Sequence, residues 1–216
     1  MSLKEVIAEI TAELGVKAQF YDEVLTLARR ILTLSKQAIL AVHRSEPEEA
    51  KRKLSDAQTH LQRLTTITVD HPDLKGGATH AAYQEYTEAC VFLEVVTRGR
   101  YQYPAELGVP SVQYLLGLAD VIGEFRRRAL DALRGGDFDA SEESLRIMEE
   151  IYVELIALED AYKVAPELRR KCDVARRIIE VTRGDVTSEA RRRALDETMK
   201  SLERRMGGER DAIQSE

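Results

Sequence analysis

Two glutamates near the middle of the chain have the residue type and spacing that best suggest chemistry. Glu85 and Glu88 lie in the segment Tyr83-Gln-Glu-Tyr-Thr-Glu-Ala-Cys-Val-Phe92, whose apolar positions are spaced as in a helix. A separation of three residues places both carboxylates on one helix face, about one turn apart. Carboxylates beside a core repel each other and lose hydration, and a bound divalent cation offsets both effects. The pair therefore predicts a metal site, with two solvent-exposed glutamates as the alternative.

Two further acidic pairs lie in apolar helical segments. Asp120 and Glu124 are four residues apart, as are Glu150 and Glu154, so each pair shares a helix face. Helical bundles build divalent-metal sites from inward-facing acids on several helices, so the three pairs together favour such a site. The alternative for Asp120 and Glu124 is a buried acid paired with an arginine of another helix.

A basic stripe precedes these acids in the chain. Arg29, Lys36 and His43 are seven residues apart, and Arg30 and Arg44 adjoin them. At 1.5 Å per residue the stripe spans roughly 21 Å, a length that could follow several phosphates of a single strand. The alternative interpretation is a solvated basic face without a ligand.

Other catalytic arrangements find little support in the sequence. The four histidines form no His-Glu-x-x-His motif, and neither a Gly-x-Ser-x-Gly segment nor a phosphate-binding loop occurs. A water activated by a metal ion is therefore the better candidate for any hydrolysis.

The composition is that of a globular protein with one core. Charged residues make up 32% of the 216 residues, hydrophobic residues 44%, and the net charge is -6, so nucleic acid would have to bind a local patch. Cys90 and Cys172 are predicted to be reduced, buried thiols. No apolar run approaches the roughly 20 residues of a membrane span, and the N-terminus lacks the features of a signal peptide. We expect a cytoplasmic protein.

The elements that must position these residues are all helical. Apolar periodicity and Gly or Pro breaks predict helices at 3–14, 18–45, 46–68, 78–99, 110–134, 140–162, 165–183 and 186–206. Gly15 and Gly184 are expected to end helices, and Ser45 with Glu48 to form a capping box before Pro47. Gly117 and Gly123 would permit close helix approach. The prediction is a single all-α domain over residues 1–206 and a flexible tail at 207–216.

Several segments resemble one known family. The segment Val112-Gln-Tyr-Leu-Leu-Gly-Leu-Ala-Asp-Val-Ile-Gly-Glu-Phe125 is similar to the signature helix of the translin superfamily, especially of its translin-associated factor X branch in an archaeal or bacterial type. Further matches follow in order along roughly residues 18–184. They are Ser35-Lys36, His43-Arg44, Gln84-Glu-Tyr-Thr-Glu-Ala89, Gly136-Asp137 and Val181-Thr-Arg-Gly184.

The resemblance implies an all-helical bundle of about seven helices that assembles into a hollow, roughly octameric shell. In this superfamily translin binds single-stranded RNA and DNA, and the factor X branch supplies a magnesium-dependent endoribonuclease site that faces the interior. Gln84-Glu85 and Glu88-Ala89 resemble the catalytic branch. Glu85 and Glu88 are therefore expected to bind Mg²⁺ or Mn²⁺.

One position departs from the catalytic pattern. The branch contributes an aspartate from the helix predicted at 140–162, and ungapped alignment places Val153 there. Either Glu150 or Glu154 could supply the missing carboxylate after a small rotation of the helix. Asp120 or Glu124 would then orient the metal ligands by hydrogen bonding.

The resemblance also assigns roles to the basic stripe and to the whole protein. Arg29, Arg30, Lys36, His43 and Arg44 are the expected RNA contacts. We expect a homo-oligomer, most simply an octamer, that binds single-stranded RNA or DNA and cleaves RNA with Mg²⁺. The alternatives are a non-catalytic binding shell and a structural bundle whose acids form salt bridges between subunits.

Overall fold

Six long helices and two single-turn helices account for most of residues 2–213, the part of the chain that this computed structural model describes; side chains are described for residues 2–204. In chain order they are α1 (Leu3–His43), α2 (Pro47–Asp70), α3 (Gly77–Arg98), the single-turn α4 (Pro104–Leu107), α5 (Ser111–Gly135), α6 (Phe138–Ile156), the single-turn α7 (Ala161–Val164) and α8 (Pro166–Ile213). A 3-10 turn lies at Pro72–Leu74. No strand occurs in the described residues, so the all-α prediction is confirmed.

Two predicted helix ends at glycine are wrong. Helix α1 continues through Gly15, and α8 continues through Gly184. A glycine inside a helix costs only about 1 kcal/mol relative to alanine, and helical residues on both sides provide enough hydrogen bonding to carry the helix across it. The first two predicted helices are therefore one, as are the last two.

The capping box predicted before α2 is also wrong. Glu46 is the N-cap residue and makes no side-chain capping hydrogen bond, while Glu48 accepts a hydrogen bond from Lys51. Ser45 has a φ of 60°, so it forms the left-handed turn between α1 and α2, and the N-cap position passes to Glu46. Pro47 occupies the first turn of α2, as predicted.

The core is built around α3 and α5. Helix α1 packs against α2 and α3, α3 packs against α5, and α5 packs against α6 and α8. Phe92 and Phe125 meet edge to face between α3 and α5, with ring centroids 5.3 Å apart. Cys90 and Cys172 are free and buried, which confirms the prediction for both. The two central helices are therefore held rigidly, and side chains on their common edge have defined positions.

Helix α1 carries one apolar stripe in two environments. Its side chains at alternating steps of three and four residues, such as Val24, Ala28 and Ile31, are buried in the bundle. The same stripe continues towards the N-terminus as Leu3, Ile7, Ile10, Leu14 and Tyr21, where each side chain is at least 44% exposed. The first turns of α1 therefore extend beyond the bundle with their apolar face uncovered.

The end of the chain is helical as far as it is described. Helix α8 runs to Ile213, so the tail predicted at 207–216 lies partly within this helix, and residues 214–216 lie outside the described part. None of the helices between residues 2 and 213 combines the length and the apolar character needed to cross a membrane.

Candidate metal site and nucleic-acid surface

Four carboxylates from the two central helices lie close together and form what we call the acidic cluster. Helix α3 contributes Glu85 and Glu88, and α5 contributes Asp120 and Glu124. Burial is the largest cause of the raised pKa of Glu85 and of Glu88, and the charges of Asp120 and Glu124 contribute to both, so the four side chains lie within electrostatic reach of one another. All four side chains are only partly exposed. The cluster therefore combines two of the three acidic pairs identified in the sequence.

Glu88 is the most perturbed member of the acidic cluster. Burial raises its pKa to about 9, and the charges of Asp120, Glu124 and Glu85 add to this effect while Lys171 opposes it. Burial also raises the pKa of Glu85, with Lys36 opposing. At neutral pH the Glu88 carboxyl group therefore keeps its proton, and a bound cation would have to displace it.

Three basic side chains surround the acidic cluster. Lys171 on α8 places its Nζ atom 2.5 Å from both carboxylate oxygens of Asp120. His43 on α1 places Nε2 2.6 Å from Oε2 of Glu124, and the Nζ atom of Lys36 lies 3.8 Å from Oε1 of Glu85. These contacts bring four helices to one site.

Gly117 allows α5 to approach α3 beside the acidic cluster. A Cβ atom at this position would lie 2.6 Å from the carbonyl oxygen of Gln84 and 2.8 Å from Cβ of Thr87, distances that backbone and side chain cannot accommodate without moving. The prediction of close approach is confirmed for Gly117, whereas a Cβ at Gly123 would have no atom within 4 Å. The absence of a side chain at Gly117 thus sets the distance between the two pairs of acids.

The acidic cluster offers the type of donor that a hard divalent cation prefers. Such ions prefer carboxylate oxygens, and the pKa of Glu88 is raised first by burial and then by the charges of Asp120, Glu124 and Glu85. Nevertheless, no three acidic, imidazole or thiol side chains of residues 2–204 are gathered closely enough to hold a metal as they stand. Asp120 and Glu124 are engaged by Lys171 and His43. A metal could bind only after these side chains turn.

The third predicted acidic pair lies elsewhere. Glu150 is exposed and accepts a hydrogen bond from Arg146 at 3.0 Å, and Glu154 and Val153 are exposed. Helix α6 buries a different stripe against α5 and α8, formed by Ile147, Met148, Ile151 and Leu155. The structure therefore does not bring Glu150 or Glu154 to Glu85 and Glu88, and the carboxylates that it brings there are those of Asp120 and Glu124.

The basic stripe of α1 divides into two parts. Arg29, Arg30 and Arg44 are exposed, and none of them pairs with a carboxylate among the described side chains. Lys36 is 67% exposed and connects this surface to Glu85. His43 is different, because its side chain is only 6% exposed and its ring packs 4.9 Å from that of Phe92. The structure thus places His43 in contact with Glu124, and its role as an RNA contact stays a prediction.

Lys171 is the functional candidate that sequence reasoning missed. It lies on the inner side of α8 between the buried residues Leu168, Cys172 and Ala175. A lysine at a core-facing position normally has an acidic partner, and this pattern could have signalled its role. The sequence alone does not identify Asp120 as that partner, because the two residues are 51 positions apart.

The sequence resembles one family and an archaeal relative. The sequence pattern of the Translin family matches residues 19–181. The uncharacterized protein MJ0175 of Methanocaldococcus jannaschii is 31% identical over 192 residues, which cover 88% of this chain and 85% of the relative. The matched range includes α2, α3, α5 and α6 in full and contains the whole acidic cluster.

Solved structures with the same fold agree with this match. The AfC3PO–duplex RNA complex has a TM-score of 0.79 and 30% sequence identity, over 87% of this chain and 98% of that one. AfC3PO itself gives a TM-score of 0.79 at 31% identity over the same shares. Apo-NeC3PO shares the fold, with a TM-score of 0.77 at 22% identity over 85% of this chain and 96% of that one. Sequence and fold together show that the chain belongs to the Translin family.

Proposed function

We propose that this protein binds RNA and cleaves it with a divalent cation, Mg²⁺ or Mn²⁺, held by the acidic cluster. The observation that carries the proposal is the acidic cluster itself, in which Glu85 and Glu88 of α3 lie beside Asp120 and Glu124 of α5 and three basic side chains contact three of the four carboxylates. A protein gains little stability from such an arrangement without a cation. The factor X branch of the family remains the predicted branch.

Two observations support RNA as the ligand: a similar protein forms a complex with RNA, and α1 carries exposed basic side chains. AfC3PO, 30% identical to this chain, forms a complex with duplex RNA. In the present protein Arg29, Arg30 and Arg44 are exposed and free to contact phosphates, and Lys36 lies between them and Glu85. Single-stranded RNA and DNA were predicted from the sequence, so both strand forms belong in the test.

Different residues of this chain would have different roles in RNA cleavage. The α1 cations would hold the phosphate backbone in register. Glu85, Glu88, Asp120 and Glu124 would bind the cation, which when present supplies Lewis-acid charge at the scissile phosphate. Glu88 would release its proton on binding. His43 would restrain Glu124, so that this carboxylate loses less conformational freedom when it binds the cation.

A binding protein without catalysis is the second candidate function. The observation that favours it is the pairing of Asp120 with Lys171 and of Glu124 with His43, which leaves no preformed set of three ligands in the described residues. In this case RNA affinity would be salt-dependent and independent of divalent cations.

We further propose that the protein is a homo-oligomer, with an octamer as the expected form. The uncovered apolar stripe on the first turns of α1 supports association, since monomeric proteins rarely expose contiguous apolar surface of this kind. Light scattering at micromolar concentration tests this proposal, and a monomeric mass would contradict it.

The decisive experiment measures cleavage of labelled single-stranded and duplex RNA with Mg²⁺, Mn²⁺ or a chelator. The double variant Glu85→Gln/Glu88→Gln should lose cleavage by about 100-fold or more and keep its RNA affinity. Glu150→Gln/Glu154→Gln should cleave like the wild type, because these residues lie away from the cluster. Undiminished cleavage by Glu85→Gln/Glu88→Gln would refute the catalytic proposal. If the wild-type protein does not bind RNA even at low salt, both candidate functions are refuted.

A further inference from the structure

Lys171 forms an ion pair with Asp120 in which one ammonium group contacts both carboxylate oxygens. Its Nζ atom lies 2.5 Å from each of the two carboxylate oxygens. The side chain of Lys171 is 21% exposed and that of Asp120 is 35% exposed, so water screens the contact only in part. One positive centre that contacts both oxygens of a carboxylate resembles a bidentate cation.

Lys171 is placed more closely against the acidic cluster than the other lysine at this site. It contacts both carboxylate oxygens of Asp120, which lies on α5 together with Glu124 and beside the two glutamates of α3. Lys36 lowers the pKa of Glu85 but is 67% exposed and lies 3.8 Å from it, and His43 contacts Glu124 alone among the four acids. Lys171 is therefore the less exposed lysine at the acidic cluster and the one in direct contact with both oxygens of a carboxylate.

There is room for the lysine to move. A cavity of about 260 Å³ adjoins the ion pair and is lined by Asp120, Gly123, Arg170, Lys171 and Val174 among others. Gly123 adds no side chain to this cavity, and even a Cβ atom there would have no other atom within 4 Å. The flexible stem of Lys171 can thus carry the ammonium group away from Asp120 without displacing the helix.

We propose that Lys171 is a built-in counter-ion that competes with the divalent cation for Asp120. In the metal-free protein the ammonium group holds Asp120 and reduces its repulsion with the other ionised acids of the cluster. Binding of the cation requires the lysine to leave, which weakens metal affinity and stabilises the empty site. This inference rests on the proposed function, since it concerns the same site.

If Lys171 competes with the cation for Asp120, its removal should have an effect on metal affinity that the loss of an ordinary stabilising ion pair would not have. If Lys171 only joined α8 to α5, its removal would destabilise the protein and leave metal affinity unchanged or weaker. If it competes, its removal leaves Asp120 unoccupied and the cluster more negative. Metal affinity should then rise while the stability of the metal-free protein falls.

The test is a titration of the full chain with Mn²⁺ alone, followed by electron paramagnetic resonance at near-neutral pH without RNA. Lys171→Met should bind Mn²⁺ about tenfold more tightly than the wild type, and it should melt at a lower temperature in chelator. Lys171→Arg, which keeps the charge, should bind like the wild type. Arg170→Met is the matched control, because Arg170 lines the same cavity without pairing with Asp120 among the described side chains, and its affinity should change less than about twofold.

The outcomes separate this inference from the proposed function. Equal or weaker binding by Lys171→Met, with clear binding by the wild type, overturns the counter-ion alone, and so does tight binding by Lys171→Arg. If no variant binds Mn²⁺, the metal-dependent function falls and the counter-ion with it. Should Lys171→Met fail to fold by circular dichroism, Lys171→Gln replaces it, since this side chain still donates to Asp120 without the charge and should also bind more tightly than the wild type.

Discussion

The imidazole of His43 contacts the carboxylate of Glu124, with 2.6 Å between Nε2 and Oε2, across 81 positions of sequence. The contact joins α1 to α5, and the ring is also packed against Phe92. A residue with the spacing of an RNA contact is therefore part of the scaffold that holds the acidic cluster. Its substitution should affect stability before it affects binding.

Removal of the His43 side chain should destabilise the protein. In His43→Ala the partly buried Glu124 carboxylate loses its partner, and we expect the free energy of unfolding to fall by about 1–3 kcal/mol. Urea denaturation monitored by circular dichroism measures this change. His43→Gln, which keeps a donor, should lose less. A drop in RNA affinity of His43→Ala with unchanged stability would contradict the assignment.

Glu88→Gln should stabilise the metal-free protein at neutral and alkaline pH. Below the ordinary pKa of 4.5 the carboxyl group is protonated in both folded and unfolded states, so it makes no difference there. Between 4.5 and about 9 the unfolded chain has lost a proton that the folded protein keeps, so the wild type loses stability as pH rises through this window. The charged groups that face Glu88 are Glu85, Asp120, Glu124 and Lys171.

The side chain introduced in Glu88→Gln does not titrate, so the variant does not lose stability in this way as the pH rises. Urea denaturation in chelator should show a gain on the order of 2 kcal/mol near about pH 8 and little difference near about pH 4. Glu154→Gln, a glutamate of α6 with an exposed side chain, is the control and should show no pH-dependent gain. Parallel curves for wild type and Glu88→Gln across the whole range would show that Glu88 ionises normally.

Gly117→Ala should disturb the acidic cluster through the backbone. The new methyl group would meet the Gln84 carbonyl and the Thr87 side chain, and such overpacking costs about 1–3 kcal/mol. Gly123→Ala is the matched control on the same helix. Its methyl group has open space and should stabilise the helix by about 0.5–1 kcal/mol. Thermal denaturation distinguishes the two, and equal effects would refute the close-contact argument.

The exposed arginines of α1 should control the salt dependence of RNA binding. Each phosphate contact that is lost in Arg29→Gln or Arg44→Gln should reduce the slope of log affinity against log salt by about 0.7 for a single strand or 0.9 for a duplex. Fluorescence anisotropy at several salt concentrations measures the slope. Arg134→Gln, which removes an exposed arginine paired with Asp131 at the end of α5, should leave it unchanged.

Helix type could be predicted from the sequence, but helix ends could not. Apolar residues at steps of three and four identified the long helices, because this periodicity follows directly from burial of one helix face. Gly15 and Gly184 were expected to break helices on local propensity alone. Helix continuity depends on hydrogen bonds over several turns on both sides, and a single glycine does not decide it.

The sequence identified the two acidic pairs of the cluster but not that they lie beside each other. The type and spacing of Glu85 and Glu88 indicated charge beside a core, and Asp120 with Glu124 was recognised as a second pair. Which pair meets the first depends on helix packing, since α3 packs against α5 and not to a comparable extent against α6. Packing of this kind is a long-range property. For the same reason neither the partner of Lys171 nor that of His43 could be identified.

The apolar stripe on α1 has different effects at its two ends, although the spacing of its residues is the same throughout. Where the bundle covers it, at Ala28 or Ile31, a polar substitution would unfold the protein. Where nothing in the described protomer covers it, at Ile7 or Ile10, the same substitution would leave the melting of an isolated protomer unchanged and alter only how its behaviour depends on concentration. Residues towards the C-terminal end of α1 thus determine the stability of the protomer, and residues at its N-terminal end determine self-association. Substitutions can change either property without changing the other.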